Sequence, residues 1–340
     1  MTRALLYCAG GGIGDSLIAS VVARALHERY ATVDALTLPA HRCTLEHVPD
    51  IDRVMVDDDL DDAHLASRLR DQSYDACVVT WATTRTARVP ELAGIPIRVG
   101  QSRRLYSFRF TKRVVVRSER GDVTSHWSDV LLDYARAIGC DTSDRFPRFI
   151  PTAGDDAETF ELLAKLGVEA KNVIVMHPTN AIAPKAGIWP VSGWAALARA
   201  LRKRFDVTVL ISGSRADATI NDAIAAQSGA RSIAGTIGIG AFGALARRAR
   251  AFVGITTGSM HVAAASGAVT VGIFPFQSDF PERWAPLGAR TAVVRASYPC
   301  HAGDKKETCA DYACIANLDV PRILAETEAA LASDASTLHV

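Results

Sequence analysis

The sequence lacks the features that mark several classes of protein. No apolar run approaches the roughly 18 residues that a membrane helix needs, and residues 1–6 do not begin the long apolar segment of an export signal. Charges of the two signs nearly balance, with a net charge of +1 at pH 7, which disfavours a protein that binds nucleic acid. We therefore expect a globular protein that is neither exported nor embedded in a membrane.

The cysteines also give little indication of a disulfide framework. The seven cysteines are an odd number, and four of them are widely scattered, which favours reduced thiols in a cytoplasmic protein. Cys300, Cys309 and Cys314 lie closer together, but their spacing does not match a CxxC zinc pair. Unpaired thiols are the favoured interpretation of these three residues, and a structural metal is the less favoured one.

What the sequence does contain is a repeated alternation of short apolar runs and helical stretches. Its 340 residues, 49% of them hydrophobic, suffice for two domains with their own cores. The alternation runs through both halves and predicts α/β domains with mostly parallel sheets. A segment of prolines and polar residues at 146–152 separates the halves, so we predict domains over residues 1–152 and 153–319, followed by a helix over about 320–333.

The first apolar run leads into a glycine-rich loop, Gly10-Gly11-Gly12-Ile13-Gly14-Asp15-Ser16. A strand, a tight loop and a helix direct backbone N–H groups at whatever lies above the end of the strand. The loop fails the dinucleotide pattern GxGxxG, because Asp15 stands where the third glycine belongs. A carboxylate repels a pyrophosphate, but the helix N-terminus keeps it ionised, as a general base requires. Asp15 is therefore the first catalytic candidate, and a nicotinamide dehydrogenase is the least favoured function.

A basic segment follows in the first half. Its simplest interpretation is a solvated surface loop. The alternative is a wall that binds an anionic acceptor, because arginine pairs bidentately with carboxylate and phosphate. Interleaved aromatic residues would also suit nucleic acid, which the nearly neutral net charge disfavours. The basic residues are Arg85, Arg88, Arg98, Arg103, Arg104, Arg109, Lys112, Arg113 and Arg117.

Two other polar features of the first half have simple structural interpretations. The run Asp57-Asp58-Asp59 predicts a solvated turn and a helix cap, with a metal site as the less favoured alternative. His126 precedes a predicted helix, where a cap or packing role is at least as well supported as a role in a site.

In the second half, each predicted strand ends in a loop of small, hydroxyl-bearing residues that begins a helix. Because the carboxyl ends of parallel strands share one edge, these loops predict a ligand crevice. Their hydroxyls, amides, single lysine and helix N-terminus suit a diphosphate without a bound metal, although each residue alone is more often a cap or turn residue. Asp217 would accept from ribose hydroxyls, and His261 would reach a phosphate. The candidates are Thr179, Asn180, Lys185, Ser212, Gly213, Ser214, Asp217, Thr256, Thr257, Gly258, Ser259 and His261.

Together these motifs resemble glycosyltransferase family 9, the heptosyltransferase-like group of lipopolysaccharide core biosynthesis. The resemblance covers nearly the whole chain in the family's order, and it is the combination of motifs that makes it specific. The matching pieces are Gly11-Gly12-Ile13-Gly14-Asp15, Arg98-Val99-Gly100 with Arg103-Arg104, His177-Pro178-Thr179, Trp189-Pro190, residues 252–261, Gly272-Ile273-Phe274, Arg283-Trp284 and Pro299-Cys300.

The resemblance implies a GT-B architecture, in which two Rossmann-like domains face each other across a cleft and the C-terminal helix crosses back to the first domain. The N-terminal domain would bind the acceptor, and the C-terminal domain would bind a nucleotide sugar, ADP-heptose by family default. The acceptor-binding candidates are Gly12, Gly14, Arg98, Arg103 and Arg104.

The resemblance also implies a mechanism. The family inverts the anomeric carbon, and the residue that matches its general base is Asp15. Lys185 and the helix start at Thr257-Gly258 would stabilise the leaving diphosphate, and no cofactor or metal would be required.

Two departures from the family pattern lie where the donor should bind. Thr256 stands where family members usually carry aspartate, and three residues rather than one separate Lys185 from Trp189-Pro190. Alternatives therefore stay open: a transferase with another donor and acceptor, an epimerase or phosphorylase on the same scaffold, or a nucleotide-sugar-binding protein without catalysis. The expected partners are a nucleotide sugar and a glycan or glycolipid, with the protein either free in the cytoplasm or peripheral to the inner membrane, and no nucleic acid.

Overall fold

The computed structural model of the protein describes residues 2–58, 61–179, 189–276, 280–299 and 312–333. The chain divides into two compact units, Met1–Ile150 and Pro151–Val340, close to the division that the segment at 146–152 suggested. Phe149, at the end of the first unit, is buried and stacks on His47 with ring centroids 4.5 Å apart. The division therefore falls directly after a residue that is anchored in the first unit.

The first unit is built on a six-stranded sheet. Its strands are β1 (Arg3–Cys8), β2 (Thr32–Thr37), β3 (Arg53–Val56), β4 (Ala76–Thr80), β5 (Ile97–Gln101) and β6 (Lys112–Val114). All neighbours pair in parallel, in the order β3-β2-β1-β4-β5-β6. This doubly wound order reverses between β1 and β4, which is where such sheets bind ligands.

Helices cover both faces of this sheet. They are α1 (Ile13–Leu26), α2 (Arg42–Leu45), α3 (Asp62–Arg70), α4 (Thr84–Leu92) and α5 (Trp127–Arg136), with 3₁₀ helices at Pro39–His41, Leu105–Arg109 and Arg117–Arg120. α1 packs against α5, and α3 packs against α4. α1 is apolar along most of its length and is almost fully buried, so it forms the centre of its layer.

The second unit repeats the same topology. Its strands are β7 (Val173–His177), β8 (Thr208–Ile211), β9 (Arg231–Ser232), β10 (Ala251–Ile255), β11 (Thr270–Phe274) and β12 (Thr291–Arg295). They pair in parallel in the order β12-β11-β10-β7-β8-β9. Its point of reversal lies between β7 and β10, the counterparts of β1 and β4. The two units are thus both Rossmann-like, as the resemblance implied.

The helices of the second unit complete the fold. They are α6 (Ala153–Leu166), α7 (Val191–Phe205), α8 (Ala218–Ser228), α9 (Ile239–Arg248), α10 (Gly258–Ala265), α11 (Pro281–Trp284), α12 (Ala313–Ala316) and α13 (Val320–Ala332), with 3₁₀ helices at Ala170–Asn172 and Arg215–Asp217. No helix in the described part of the chain is both long enough and apolar enough to cross a membrane.

The basic segment is not the surface loop that its composition suggests. It folds into α4, β5, the 3₁₀ helix Leu105–Arg109 and β6. The sequence pattern hides these elements because Pro90 lies inside α4 and because Arg98, Lys112 and Arg113 interrupt the apolar runs of β5 and β6. Pairing of the strands at the edge of the sheet overrides both signals.

α13 packs within the second unit, and the expectation that it also reaches the first domain stays a prediction. It packs against β11, β12 and α7. Its buried residues Ile323, Thr327 and Ala330 recur at helical spacing along one face. Ile323 and Ala330 join the core of the second unit. An apolar stripe of this kind covers the nearest apolar surface, which here is the sheet of its own unit.

Replacing Ile323 by alanine tests the placement of α13. We expect the free energy of unfolding of the second unit to fall by about 2–5 kcal/mol, because the change leaves a cavity in the core. Hydrogen exchange should rise at β11 and β12 and stay unchanged at β1 and β4. Glu328→Ala on the same helix removes only an exposed ion pair with Arg204 and should cost less than about 1 kcal/mol. Faster exchange in the first unit alone would contradict the placement.

Candidate functional site

The loop after β1 places a carboxylate at the reversal point of the first sheet. Gly12 is the N-cap of α1, and Asp15 is the third residue of the helix. The Gly12 N–H donates to Asp15 Oδ2 over 2.6 Å, so the carboxylate closes the helix N-terminus that an anionic ligand would otherwise bind. Gly12 is exposed and lies beside this carboxylate.

Close packing determines the path of this loop. Gly11 has φ of +71°, and a Cβ there would lie 2.4 Å from Asp15 Oδ2, so only glycine fits. A Cβ on Gly10 would lie 2.6 Å from Cβ of Trp81, which follows β4. Trp81 itself has φ of +49°, a strained backbone conformation for an aromatic residue. The loops after β1 and β4 therefore pack directly on each other at the reversal point, and sequence analysis missed Trp81.

Burial makes Asp15 more basic than an ordinary aspartate. The pKa of Asp15 lies above its usual value because burial outweighs the Gly12 N–H bond and the nearby His41, which both lower it. The sequence analysis considered only the helix N-terminus, which favours the ionised carboxyl, and did not foresee the larger opposing effect of burial. A raised pKa improves a carboxylate as a proton acceptor near neutral pH.

His41 is a residue of this site that sequence analysis did not identify. It is 5% exposed, and its Nδ1 lies 2.9 Å from Ser16 Oγ on α1. Burial lowers the pKa of His41, while the charge of Asp15 raises it. The available signal was its position in Pro39–His41, which follows β2 at the same edge of the sheet as the loop after β1.

The predicted acceptor-binding residues divide into exposed and structural positions. Gly14 is buried in the first turn of α1, and its acceptor contact stays a prediction. The Arg98 guanidinium donates to the Ile95 and Arg109 carbonyls and holds β5 in place. Arg103 and Arg104 are exposed, although the former donates to the Glu119 carbonyl over 3.2 Å and the latter pairs with the Glu119 carboxylate at 2.8 Å.

Most of the other basic residues of this segment pair with carboxylates of the fold. Arg85 contacts Asp57 and Asp62, Arg88 contacts Asp62, Arg109 contacts Glu91, and Arg117 contacts Asp129 and Asp133. Their guanidinium groups stabilise the unit, so a continuous anion-binding wall is not what these side chains form. Lys112 and Arg113 on β6 are exposed.

The acidic run also differs from its prediction. Asp57 is 4% exposed; it accepts a hydrogen bond from the buried Tyr7 hydroxyl over 2.5 Å and pairs with Arg85. It is therefore a buried tie between β1, β3 and α4 rather than part of a solvated turn. The N-cap of α3 is Asp61. The cap role suggested for His126 is confirmed at α5, where His126 accepts from the Ser128 N–H.

The second sheet presents hydroxyls at its own reversal point. Thr179 follows β7 and is buried, and Thr256 and Thr257 follow β10. These two strands are neighbours, so their loops meet at one position on the edge. Asn180 and Lys185, which were predicted for the same place, lie outside the described residues.

The start of α10 lacks the carboxylate that occupies the start of α1, so its N–H groups can bind an anion. Thr257 is its N-cap and makes no side-chain cap bond, and the first turn contains no acidic residue. The Thr257 Oγ1 is buried and has no hydrogen-bond partner among the described residues. Gly258 and Ser259 form the first turn and are half-buried. This is the arrangement in which a helix N-terminus binds a phosphate.

The loop after β8 is occupied by its own side chains. Asp217 Oδ2 accepts from the Ser214 N–H over 2.7 Å and from the Ser214 hydroxyl over 2.6 Å. Both residues thus form a capping box of the type that Gly12 and Asp15 form. A Cβ on Gly213 would lie 2.8 Å from the Asn221 amide and 2.9 Å from Asp217. Binding of the sugar donor by Gly213, Ser214 and Asp217 would require this capping box to open, and their donor-binding roles stay predictions.

Two buried histidines flank the hydroxyl-rich loops. Burial lowers the pKa of His177 to about 4, so this imidazole is neutral at pH 7, and its Nδ1 lies 3.0 Å from Ser212 Oγ. Ser212 is itself buried, and its hydroxyl donates to the Met176 carbonyl of β7. His261 is buried in the first half of α10, close to the helix start that its predicted role requires.

The cysteine cluster contributes one described residue. Cys314 is buried in the core of the second unit, whereas Cys300 and Cys309 lie outside the described residues. In the described part of the chain, no group of three or more histidine, cysteine or acidic side chains is placed to hold a metal ion.

The model of glycosyltransferase family 9 (heptosyltransferase) matches residues 63–313. No curated protein sequence matches the chain. Among solved structures, ADP-heptose LPS heptosyltransferase II of E. coli is 22% identical, covers 97% of this chain and 98% of its own, and has a TM-score of 0.78.

Two other structures have similar folds. The family 9 glycosyltransferase of Veillonella parvula is 16% identical, with 97% of each chain covered and a TM-score of 0.82. The E. coli heptosyltransferase WaaC with ADP is 14% identical, with 97% of this chain and 100% of that chain covered and a TM-score of 0.72. At these identities the likeness establishes the GT-B fold.

Asp15 and Asp61 form a matched pair for measuring the effect of burial. Both carboxylates accept backbone N–H groups at a helix start, but Asp61 is exposed, and the His64 N–H and the His64 imidazole lower its pKa. We expect carboxyl ¹³C NMR titration to place the pKa of Asp15 above, and that of Asp61 below, the usual aspartate value of about 3.9. An Asp15 pKa at or below that of Asp61 would show that burial is not the dominant influence.

Proposed function

The chain belongs to glycosyltransferase family 9 and is a glycosyltransferase. On that premise we propose that it transfers heptose from ADP-heptose with inversion of configuration at the anomeric carbon. The acceptor is a hydroxyl group of an anionic glycan or glycolipid. Asp15 is the general base, and the start of α10 binds the diphosphate of the donor.

One observation carries this assignment: the distribution of carboxylates over the helix starts at the two reversal points. α1 begins with its own carboxylate, Asp15, at the first. α10, at the second, has an N-cap without a side-chain bond and no acidic residue in its first turn. Anions are stabilised at a helix N-terminus and repelled by a carboxylate that already occupies it. This distribution supports a diphosphate site in the second unit and an acceptor site in the first.

The proposed reaction uses the two helix starts differently. Asp15 Oδ removes the proton of the acceptor hydroxyl, and the resulting oxygen attacks the anomeric carbon from the side opposite the diphosphate. The bond from this carbon to the diphosphate oxygen breaks, and the configuration inverts. N–H groups at the start of α10 and the Thr257 hydroxyl stabilise the charge that grows on the leaving group. Lys185 stays a predicted contributor because it lies outside the described residues.

The similar structures support a nucleotide-sugar donor, and ADP as its nucleotide is part of the proposal. One structure with a similar fold, the E. coli heptosyltransferase WaaC, contains ADP. Thr256 carries no charge where family members usually have aspartate, so a different donor and a catalytically inactive nucleotide-sugar-binding protein are the alternatives. Calorimetry with ADP, UDP and GDP separates the donors, and transfer assays separate an enzyme from a binding protein.

Asp15→Asn tests the base. Asn retains an oxygen that accepts from the Gly12 N–H but accepts no proton from a hydroxyl, so we expect transfer to fall by about 10²–10⁴-fold with ADP affinity nearly unchanged. The pKa of Asp15 is raised by folding, so its ionisation costs stability above that pKa. The variant should therefore be at least as stable as the original protein at pH 7.

Asp155→Asn is the matched control. Asp155 occupies the same capping position on α6, where its Oδ2 accepts from the Thr152 N–H over 2.7 Å. We expect this variant to transfer sugar at the original rate. In the original protein, kcat/KM should fall as pH falls through the raised pKa of Asp15. Full activity of Asp15→Asn, or an equal loss in both variants, would refute the assignment of the base.

Thr257→Val tests the diphosphate site. Loss of the hydroxyl should raise the Kd for ADP by about 10- to 100-fold. Because this Oγ1 is buried without a partner among the described residues, the free protein should not lose stability. Thr159→Val in the same unit removes a buried hydroxyl that donates to the Ala241 carbonyl over 2.9 Å. It should lower the free energy of unfolding by about 1–3 kcal/mol and leave ADP affinity intact. Unchanged ADP affinity in Thr257→Val would contradict the site.

A further inference from the structure

Trp81 combines a strained backbone with a position beside the candidate base. It directly follows β4 and has φ of +49°, which is rare for a residue with a bulky side chain. Asp206 has a similar φ, but it ends α7, where a left-handed residue is common. Trp81 follows a strand, and the end of a strand gives no such reason. Strain of this kind persists only where the surroundings impose it, and it concentrates at functional sites.

The fold fixes both neighbours of Trp81. Thr80 pairs with β1 in the sheet. The Ala82 carbonyl accepts hydrogen bonds from the Gln101 amide, over 3.3 Å, and from the Tyr106 hydroxyl. The backbone cannot relax at Trp81 without breaking one of these contacts, so the elements on either side hold the residue in its strained conformation.

Part of the indole remains uncovered by the fold. Trp81 is half-buried, as is Trp127 at the start of α5. Their ring centroids lie 6.4 Å apart with the planes at 70°, an edge-to-face contact that covers at most one face of either ring. Trp127 therefore supports the Trp81 ring from one side, and the pair leaves an aromatic surface open to a ligand.

This aromatic surface lies beside Asp15. A Cβ on Gly10 would lie 2.6 Å from Trp81 Cβ, and a Cβ on Gly11 would lie 2.4 Å from Asp15 Oδ2, so the two side chains pack on consecutive residues of one loop. Thr80, directly before the strained residue, has a buried Oγ1 without a hydrogen-bond partner among the described residues. A strained residue and an unsatisfied hydroxyl both cost stability, and such costs are expected at a binding site.

We propose that Trp81 is a specificity-determining residue of the acceptor site and that its indole stacks on one face of a pyranose ring of the acceptor. The inference rests on the proposed function and adds to it the chemical class of the acceptor: a cyclic sugar with several C–H groups on one face. Those hydrogens are weakly positive and are attracted to the negative face of an aromatic ring. Because the strained backbone and Trp127 already hold the indole, stacking orders few additional torsions.

Two alternatives make different demands on the same side chain. A tryptophan that only fills space would affect stability and leave sugar binding unchanged. A nucleobase is another flat ligand that stacks on an indole, but the phosphates attached to it would meet the Asp15 carboxylate, which repels them. A neutral pyranose ring avoids that repulsion and presents hydroxyls to the carboxylate.

Saturation-transfer NMR of the full chain, without donor, tests the stacking. The probes are methyl β-glucopyranoside and methyl β-galactopyranoside, with the open-chain polyols glucitol and galactitol as controls of similar polarity. None of these probes is charged, so stacking is measured apart from ion pairing. We expect saturation to reach the axial hydrogens on one face of at least one pyranoside, and we expect the polyols to receive little.

Two variants of Trp81 separate the ring from the backbone. Asparagine tolerates a positive φ better than most side chains, so Trp81→Asn removes the indole without adding strain. It should raise the Kd of the bound pyranoside about 10-fold or more. Trp81→Phe retains an aromatic face and should raise this Kd less than about 3-fold. ADP affinity should stay unchanged in both variants.

Phe160 supplies the matched control. It is an aromatic residue of the second unit, on α6, and is 52% exposed. Phe160→Asn removes a comparable exposed ring and should leave pyranoside binding unchanged. Circular dichroism spectra of the three variants establish that each one is folded.

Several outcomes would overturn the inference. These are the absence of binding for both pyranosides, equally tight binding of the polyols, or equal effects of Trp81→Asn and Phe160→Asn. Adenosine that competes with the pyranoside, and whose binding depends on Trp81, would assign the aromatic surface to a nucleobase instead.

This inference and the proposed function fail separately. Sugar transfer at the original rate and acceptor KM in Trp81→Asn would overturn the role of Trp81 and leave the transfer reaction standing. Pyranoside binding that depends on Trp81, in a protein that transfers no sugar, would support the stacking site and refute the proposed function.

Discussion

The hydrogen bond between the Gly12 N–H and the Asp15 carboxylate limits what the first unit can bind. It fills a helix N-terminus that, in a dinucleotide-binding sheet of the same topology, would hold a pyrophosphate. The loop around it has no room to rearrange, because Gly10 packs on Trp81 and Gly11 packs on Asp15 itself. The carboxylate is thus held at the reversal point of the sheet, half-buried, with a raised pKa.

The same topology serves the opposite electrostatic purpose in the second unit. There the N-terminus of α10 is free of acidic side chains, and the Thr257 hydroxyl is buried without a partner among the described residues. The second unit thus leaves a polar group at its helix start without a hydrogen-bond partner in the described part of the chain, whereas in the first unit Asp15 accepts a hydrogen bond from the Gly12 N–H. An unsatisfied buried polar group costs stability, and such a cost is expected at a binding site for a charged ligand. In the reaction that we propose, the first sheet would supply the proton acceptor and the second would stabilise the leaving group.

Charge in the first unit is organised in two ways. Arg85 and Arg117 are tied to buried or half-buried carboxylates and stabilise the fold. Lys112 and Arg113, only a few residues from the exposed Leu105 and Phe108, are directed at solvent. Basic residues occur throughout the segment from Arg85 to Arg117. The ion pairs divide them into residues that stabilise the fold and residues that are exposed to solvent.

The sequence by itself determined the α/β class, most of the strands and helices, the family and the candidate Asp15. Apolar periodicity and glycine-rich turns are local properties, and they act within a few residues along the chain. Tertiary structure decided what depends on distant neighbours. Asp57 is buried because Tyr7 and Arg85 meet it from other elements, and α13 packs on its own unit because its stripe matches β11 and β12. His41 lies beside Asp15 because β1 and β2 pair in parallel, and no pattern within either segment encodes that contact.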